Sequence, residues 1–220
     1  YYYPSGGSVT LANNCLKDYV DSVPTIAGDR YCASINGGSL SAAQMIAAIE
    51  KLIELKYAYV GSDGSVYFDA TSFPTYGALS GNKLEALKPG HRYEFTDEGG
   101  KRFHADWALW KLAGARTQMI WESPWGAGFP GWHIECSAMS LQLLGDSVDI
   151  HVGGIDLRFP HHENERAQTN AIAKKEVVNN WIHGEHLLFE GKKMAKSSGN
   201  VLLVSDLAGR GLDPLALRLA

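Results

Sequence analysis

The chain has 220 residues, 45% of them hydrophobic and 20% charged, with a formal net charge of −4. This composition suits a globular protein able to bury a sizeable core, and the slightly acidic balance excludes a global basic field for nucleic acid, leaving only local basic patches. Three widely spaced cysteines, Cys15, Cys32 and Cys136, make no disulfide framework and point to a reducing compartment.

In chain order, residues 1–40 read as an irregular segment in which "NNCLKDYVDSV" could hold a short helix. Ser41 is a plausible N-cap for a helix ending near Lys56, with Ile46, Ile49, Leu52 and Ile53 on one face. "YAYVGSDGSVYFDA" predicts a hairpin around Asp63-Gly64. "FPTYGALS" reads as loop, "LEALKPG" as a short helix, residues 90–106 as polar and exposed, and "DWALWKL" as an apolar element. The Gly-, Pro- and Trp-rich stretch 121–131 predicts an ordered aromatic loop.

Beyond Gly131 the pattern becomes helix, strand, helix, strand. "WHIECSAMSLQLLG" is a helix stopped at Gly145, and "SVDIHVGG" a buried strand ending in two glycines. "PHHENERAQTNAIAKK" is a helix with Pro160 at its first position, "HLLFEG" a strand, and "KKMAKSSGN" a polar loop. Two short helices follow, the second opened by Asp213-Pro214. This alternation predicts a parallel α/β sheet. No apolar run approaches the roughly 18 residues of a membrane helix. "YYYPSGGSVT" has neither the basic start nor the apolar centre of a secretory leader. The expected location is therefore the cytoplasm or an organelle interior such as the mitochondrion, without secretion or membrane insertion. Because the first residue is Tyr1, the chain is expected to be processed, truncated or part of something longer.

The residues able to do chemistry gather in this second part. On one helix His161 and Glu165 are four apart and share a face. An imidazole and a carboxylate one turn apart can clip zinc; a polar helix start, with Glu favoured by the dipole, uses the same pair. His162, Glu163 and Asn164 would point elsewhere and orient the ligands. Cys136 opens the preceding helix, where a lone cysteine is either a small core residue or a third ligand at the carboxyl edge of a parallel sheet. Gly153 and Gly154 allow a ligand close approach, Asp156 could hold a ribose hydroxyl or cap a turn, and His151 could reach the same cavity. Lys192, Lys193 and Lys196 lie on a loop of the kind that neutralises phosphate charge, or are simply solvated.

Taken together, "WESPWGAGFPGWHIECSAM", "DIHVGGIDLRFPHHENERAQ" and "KKMAKSSGN" resemble the cysteinyl-tRNA synthetases, a family of class I aminoacyl-tRNA synthetases. "IEKLIELKYAYVGSDGSVYFD", "FPTYGALSG" and "DWALWK" are similar to the insertion between the two halves of that family's nucleotide fold, so the likeness covers roughly residues 41–220. It implies a connective α+β insertion over 41–120, then the second half of a Rossmann-like parallel nucleotide-binding fold over 121–220. It also implies one zinc ion on Cys136, His161 and Glu165, which binds the substrate thiolate and so separates cysteine from serine. Trp132 and His151 match residues beside the bound cysteine. Gly153, Gly154 and Asp156 match the adenosine side. Lys193 and Lys196 match the catalytic lysines of the mobile loop that holds ATP phosphates, Lys196 being the closer analogue. The reaction implied is formation of cysteinyl-adenylate from cysteine and ATP, followed by transfer to tRNA.

The departures are equally specific. The chain contains no His-Ile-Gly-His ATP signature, and "HGEH" at 183–186 lies too late to replace it. Neither "NNCLKDY" nor "RYCASING" resembles the surroundings of the family's first zinc cysteine, and Ala195 stands where the family usually has serine. The expectation is a partial catalytic domain, inactive alone, whose sheet edge is completed by a missing segment or a protein partner. The alternatives are an inactive remnant serving as a structural or interaction subunit, and a related ligase that passes cysteine to an acceptor other than tRNA.

Overall fold

A computed structural model describes residues 42–87, 100–186, 188–189, 191–194, 199–201, 203–213 and 215–216. The expectations placed on residues 1–41, Ala195 and Lys196 lie outside these. The chain divides into two compact units, one reaching His183 and the other beginning at Gly184.

In the first unit, helix α1 (Ala42–Glu54) turns Ile49 and Leu52 into the core, as its periodicity predicted, and Met45 with them, whereas Ile46 and Ile53 are only partly buried. The hairpin forms from β1 (Ala58–Val60) and β2 (Val66–Phe68), with Gly64 at φ 81° in the turn. These strands continue into an antiparallel sheet in the order β1-β2-β3-β4, where β3 is Trp107–Leu112 and β4 is Gly128–Pro130. Phe68 and Trp107 stack at a centroid distance of 4.3 Å, and both are buried.

Three local expectations change here. The aromatic stretch 121–131 supplies the edge strand β4, because its glycine lets the chain lie against β3. Leu84–Ala86 forms only a single tight turn. Ala105 and Asp106, expected to be exposed, are buried at 1% and 0%. Asp106 is accommodated because its carboxylate accepts from Tyr59 Oη at 2.5 Å, Ala70 N at 2.9 Å and Phe103 N at 3.0 Å, a set that offsets part of the desolvation of the group.

Gly131 then joins the sheet to the helices. Its N–H donates to Leu109 O at 2.8 Å, and a Cβ there would lie 2.0 Å from Ala108 O. Only glycine allows α2 (Trp132–Leu144) to start so close to β3. Helix α2 ends at Gly145, and β5 (Val148–Gly154), α3 (Glu163–Ala173) and β6 (Val178–Gly184) follow, with β5 and β6 forming a short parallel sheet. The fold is therefore mixed α/β, an antiparallel sheet beside a β-α-β element. Gln168 Nε2 donates to Ser137 Oγ at 3.1 Å, tying α3 to α2.

Helix α3 starts later than the sequence suggested. Residues 158–162 form one wide turn with a kink at the extended Phe159 (φ −143°), and the regular α-helix runs from Glu163. The parallel strand is also not "HLLFEG". It is the earlier "VNNWIHG"; Leu188–Phe189 (β7) instead pairs antiparallel with Lys192–Lys193 (β8), so the expected polar loop begins with a two-residue strand in the second unit. That unit also contains α4 (Val204–Gly209), the first of the two short helices expected there.

Finally, β5 is not buried on both faces. Ile150 and Val152 are 55% and 46% exposed, as is Ile182 on β6 at 48%. They alternate with His151, Trp181 and His183, so one face of the sheet meets the helices and the other has no cover among the described residues. No helix among these residues is long and apolar enough to cross a membrane.

Candidate metal centre

Cys136 is 1% exposed in α2, His161 1% in the turn before α3, and Glu165 2% in α3 itself. Each offers one ligand atom, and the three atoms lie within 4.8 Å of one another. The predicted i,i+4 relation of His161 and Glu165 survives the later helix start, because His162 already has helical dihedrals. His161 Nε2 and Glu165 Oε1 stand in contact, yet both atoms are buried without a hydrogen bond. Two polar atoms left so at the heart of a folded protein are costly, and a cation between them and the Cys136 sulfur satisfies both. Burial alone would raise the Glu165 carboxyl, but the imidazoles of His161, His151 and His162 outweigh it and hold the group below the ordinary carboxylate range. It is therefore ionised, as a ligand must be. The donor set of thiolate, imidazole and carboxylate is one that zinc accepts.

The supporting residues are specific. His133, which sequence reasoning did not single out, is 4% exposed, and its Nδ1 lies 2.8 Å from His161 Nδ1. Burial pushes the His133 ring down to about 3, so it is neutral. When His161 uses Nε2 as the ligand, its Nδ1–H donates to His133 Nδ1, which fixes the tautomer. Trp132 stacks on the His161 ring at 4.0 Å while remaining 46% exposed, so it closes one side of the site and still presents an aromatic surface. On the other side of α3, Tyr76 Oη donates to Asn164 Oδ1 at 2.6 Å, Ser80 N to Glu163 Oε2 at 2.8 Å and Arg166 Nη1 to Thr75 O at 3.0 Å. Loop 73–80 is thereby clamped to the helix that carries Glu165. Glu163 and Asn164 thus hold the helix, whereas the sequence suggested only that they orient ligands.

His151 lies on β5 with its Nε2 3.3 Å from Glu165 Oε2, so the structure brings it to the cluster. Gly153 is needed where it stands, since a Cβ would lie 2.4 Å from His162 Cε1. Gly154 follows, and Asp156 occupies the short turn Ile155–Leu157 with an exposed side chain. Lys193 belongs to β8 in the second unit.

The residues from 11 to 220 match the family described as "tRNA synthetases class I (C) catalytic domain". The chain belongs to the cysteinyl-tRNA synthetase family. It is 53% identical over 163 residues to the cysteine–tRNA ligase of Alkalilimnicola ehrlichii, an overlap of 74% of this chain and 35% of that protein. The corresponding ligase of Thermus thermophilus is 51% identical over 175 residues, covering 80% of this chain and 35% of the relative. That of Chlamydia muridarum is 50% identical over 170 residues, 76% of this chain and 36% of the relative. The chain thus spans about a third of the length of the curated relatives it matches. In a member of a synthetase family, the buried Cys136, His161 and Glu165 are consistent with a zinc site.

Beside this cluster, Glu135 is 5% exposed. Burial raises its carboxyl to about 8, opposed only in part by the Arg116 guanidinium. The folded state thus holds this proton more tightly than the unfolded chain, whose ordinary value is 4.5. Folding stability contributed by protonated Glu135 is full below about 4.5 and is lost as pH rises towards 8. Substituting Glu135→Gln should keep the metal-free protein's melting temperature more nearly level between pH 5 and 8.5, with the largest gain at the alkaline end. The scale is about 1.4 kcal/mol for each pH unit over which proton uptake differs. An equal alkaline loss in the variant would remove Glu135 as the cause.

Proposed function

We propose that this chain is the zinc-bearing part of a cysteine-activating catalytic domain, with residues 41–120 as the connective insertion and 121–220 as the second half of the nucleotide fold. The observation that carries this is the burial of Cys136, His161 and Glu165 around one point, beside the half-exposed ring of Trp132. Zinc held there supplies a Lewis acid that prefers a thiolate to a hydroxyl. Cysteine is then recognised by its sulfur, Trp132 and His151 line the space for its remainder, and Gly153, Gly154 and Asp156 take the adenosine side. Lys193 and Lys196 hold the ATP phosphates. The whole reaction is cysteinyl-adenylate formation and transfer to tRNA, in a bacterial-type cytoplasm or an organelle interior.

The ATP signature is supplied from outside these 220 residues, by a further segment or a second chain. Parallel sheets are ordinarily covered on both faces, and the exposure of Ile150, Val152 and Ile182 supports a completing piece packed against that face. The test is a cobalt-loaded chain titrated with cysteine and, separately, with serine. Cysteine should add thiolate-to-cobalt absorption and serine should leave the spectrum unchanged. An identical response to both would end the reading. Cysteine-dependent ATP–pyrophosphate exchange is expected only once the His-Ile-Gly-His segment is provided, and robust exchange by the purified 220 residues would overturn that part. A chain that takes up no zinc at stoichiometric metal would favour the structural remnant instead.

A further inference from the structure

The first turn of α3 buries four consecutive polar residues, Glu163, Asn164, Glu165 and Arg166. Glu165 faces the metal centre. The other three face loop 73–80, which engages each of them. Tyr76 Oη donates to Asn164 Oδ1 at 2.6 Å, Ser80 N to Glu163 Oε2 at 2.8 Å, and Arg166 Nη1 to Thr75 O at 3.0 Å. Stability alone does not account for this arrangement. Glu163 is fully buried, yet its Oε1 has no hydrogen bond and lies 3.7 Å from Arg166 Nη1, and a buried polar atom left so is costly. The buried apolar side chains of α3 are two alanines, Ala167 and Ala171. Side chains so small interlock little with their neighbours, so the hydrogen bonds set the rotation of this helix about its axis.

We propose that Tyr76 is a positioning residue for the metal centre, fixing Glu165 through the hydrogen bond to Asn164 and His161 through its own ring. Tyr76 is not itself one of the clustered ligands, and two contact paths lead from it to them. Asn164 immediately precedes Glu165, so holding its side chain sets the direction from which Glu165 approaches His161. The second path runs through rings. Tyr76 stacks on Trp107 at 5.5 Å, Trp107 meets His133 edge-on at 6.5 Å, and His133 Nδ1 lies 2.8 Å from His161 Nδ1.

The tolerance is narrow. Turning a helix whose Cα atoms lie about 2.3 Å from its axis by about 10° moves each Cα by about 0.4 Å. Metal–ligand distances hold to within about 0.2 Å. A small rotation of α3 therefore takes the Glu165 carboxylate out of coordinating position, and the Tyr76 hydroxyl opposes that rotation. The proposal rests on the zinc reading, since it assigns Tyr76 a role towards that ion.

The test is a double-mutant cycle on the purified chain with cobalt(II) as the probe. Affinity is measured by competition with a chelator, and the visible bands of the loaded protein are recorded. Tyr76→Phe keeps the ring stack and removes only the hydroxyl. It should weaken cobalt binding by about 10-fold, the lower end of the range for groups that support metal ligands, and shift the ligand-field bands. Asn164→Ala should do the same. Because the two act as one contact, the double variant should also stand about 10-fold below wild type, where independent effects would give roughly 100-fold. Tyr76→Leu, which removes the ring path as well, should lose more than Tyr76→Phe. A Tyr76→Phe protein that only melts earlier, with bands and affinity unchanged, would overturn the proposal, as would additive losses in the double variant. In either case thiolate-to-cobalt absorption by the wild type would leave the zinc reading intact. A wild-type chain without that absorption would reject the zinc reading and the proposal together.

Discussion

Replacing Cys136 with serine is expected to abolish tight zinc binding by the chain. The side chain is 1% exposed, so no solvent ligand can easily take its place. A serine hydroxyl is a poor donor to zinc at neutral pH, whereas the cysteine sulfur binds as thiolate. The loss should exceed the roughly 10- to 100-fold that removal of a supporting residue costs. His133 sets that lower benchmark. His133→Leu removes the acceptor lying 2.8 Å from His161 Nδ1, and should weaken zinc binding by about 10- to 100-fold. His133→Gln, which retains an acceptor oxygen, should recover part of it. Competition with a chromophoric chelator measures all three. Unchanged affinity in Cys136→Ser would show that the buried thiol only fills space.

Phe68→Ala should cost the folded protein about 3–5 kcal/mol, the usual range for truncating a buried aromatic. Phe68 is fully buried, stacks on Trp107 at 4.3 Å and lies parallel to Tyr57 at 6.1 Å. It thus joins the sheet to a core that also takes in Ile134 of α2 and Ala167 and Ala171 of α3. The expected fall in melting temperature is roughly 6–20 °C, at about 2–4 °C per kcal/mol for a chain of this size. Because the antiparallel sheet and the ligand-bearing helices share that core, zinc affinity should fall as well. A melting temperature within a degree or two of the wild type would mean that the hydrophobic core is not continuous between them.

Residue type and spacing alone made much of this protein legible. The periodicity of α1, the Asp63-Gly64 turn and the stop at Gly145 are local effects, set by side-chain face and by glycine's tolerance of positive φ. The long runs around Cys136, His161 and the lysine loop were specific enough to mark the family. Other features depended on contacts between distant segments. "VNNWIHG" became the parallel strand with Trp181 and His183 meeting His162 just before α3, although its two asparagines obscure an apolar pattern. Asp106 became buried because Tyr59, Ala70 and Phe103 supply its donors.

The same division holds within the site. Cys136 and Glu165 are 29 positions apart, and sequence could propose their meeting only from a shared sheet edge or from resemblance, the spacing itself being too long to be diagnostic. Packing of α2 on α3, helped by Gly131 and the Gln168–Ser137 hydrogen bond, brings them together. His133 and His183 stood out by no motif, because a supporting histidine is defined by the ring nitrogen it meets. The sequence by itself determined which ligand types were available and on which helices they lay. Only the tertiary structure decided that both oxygens of Glu165 face histidines and that one face of the β5–β6 sheet has no cover among the described residues, because both depend on which elements pack together.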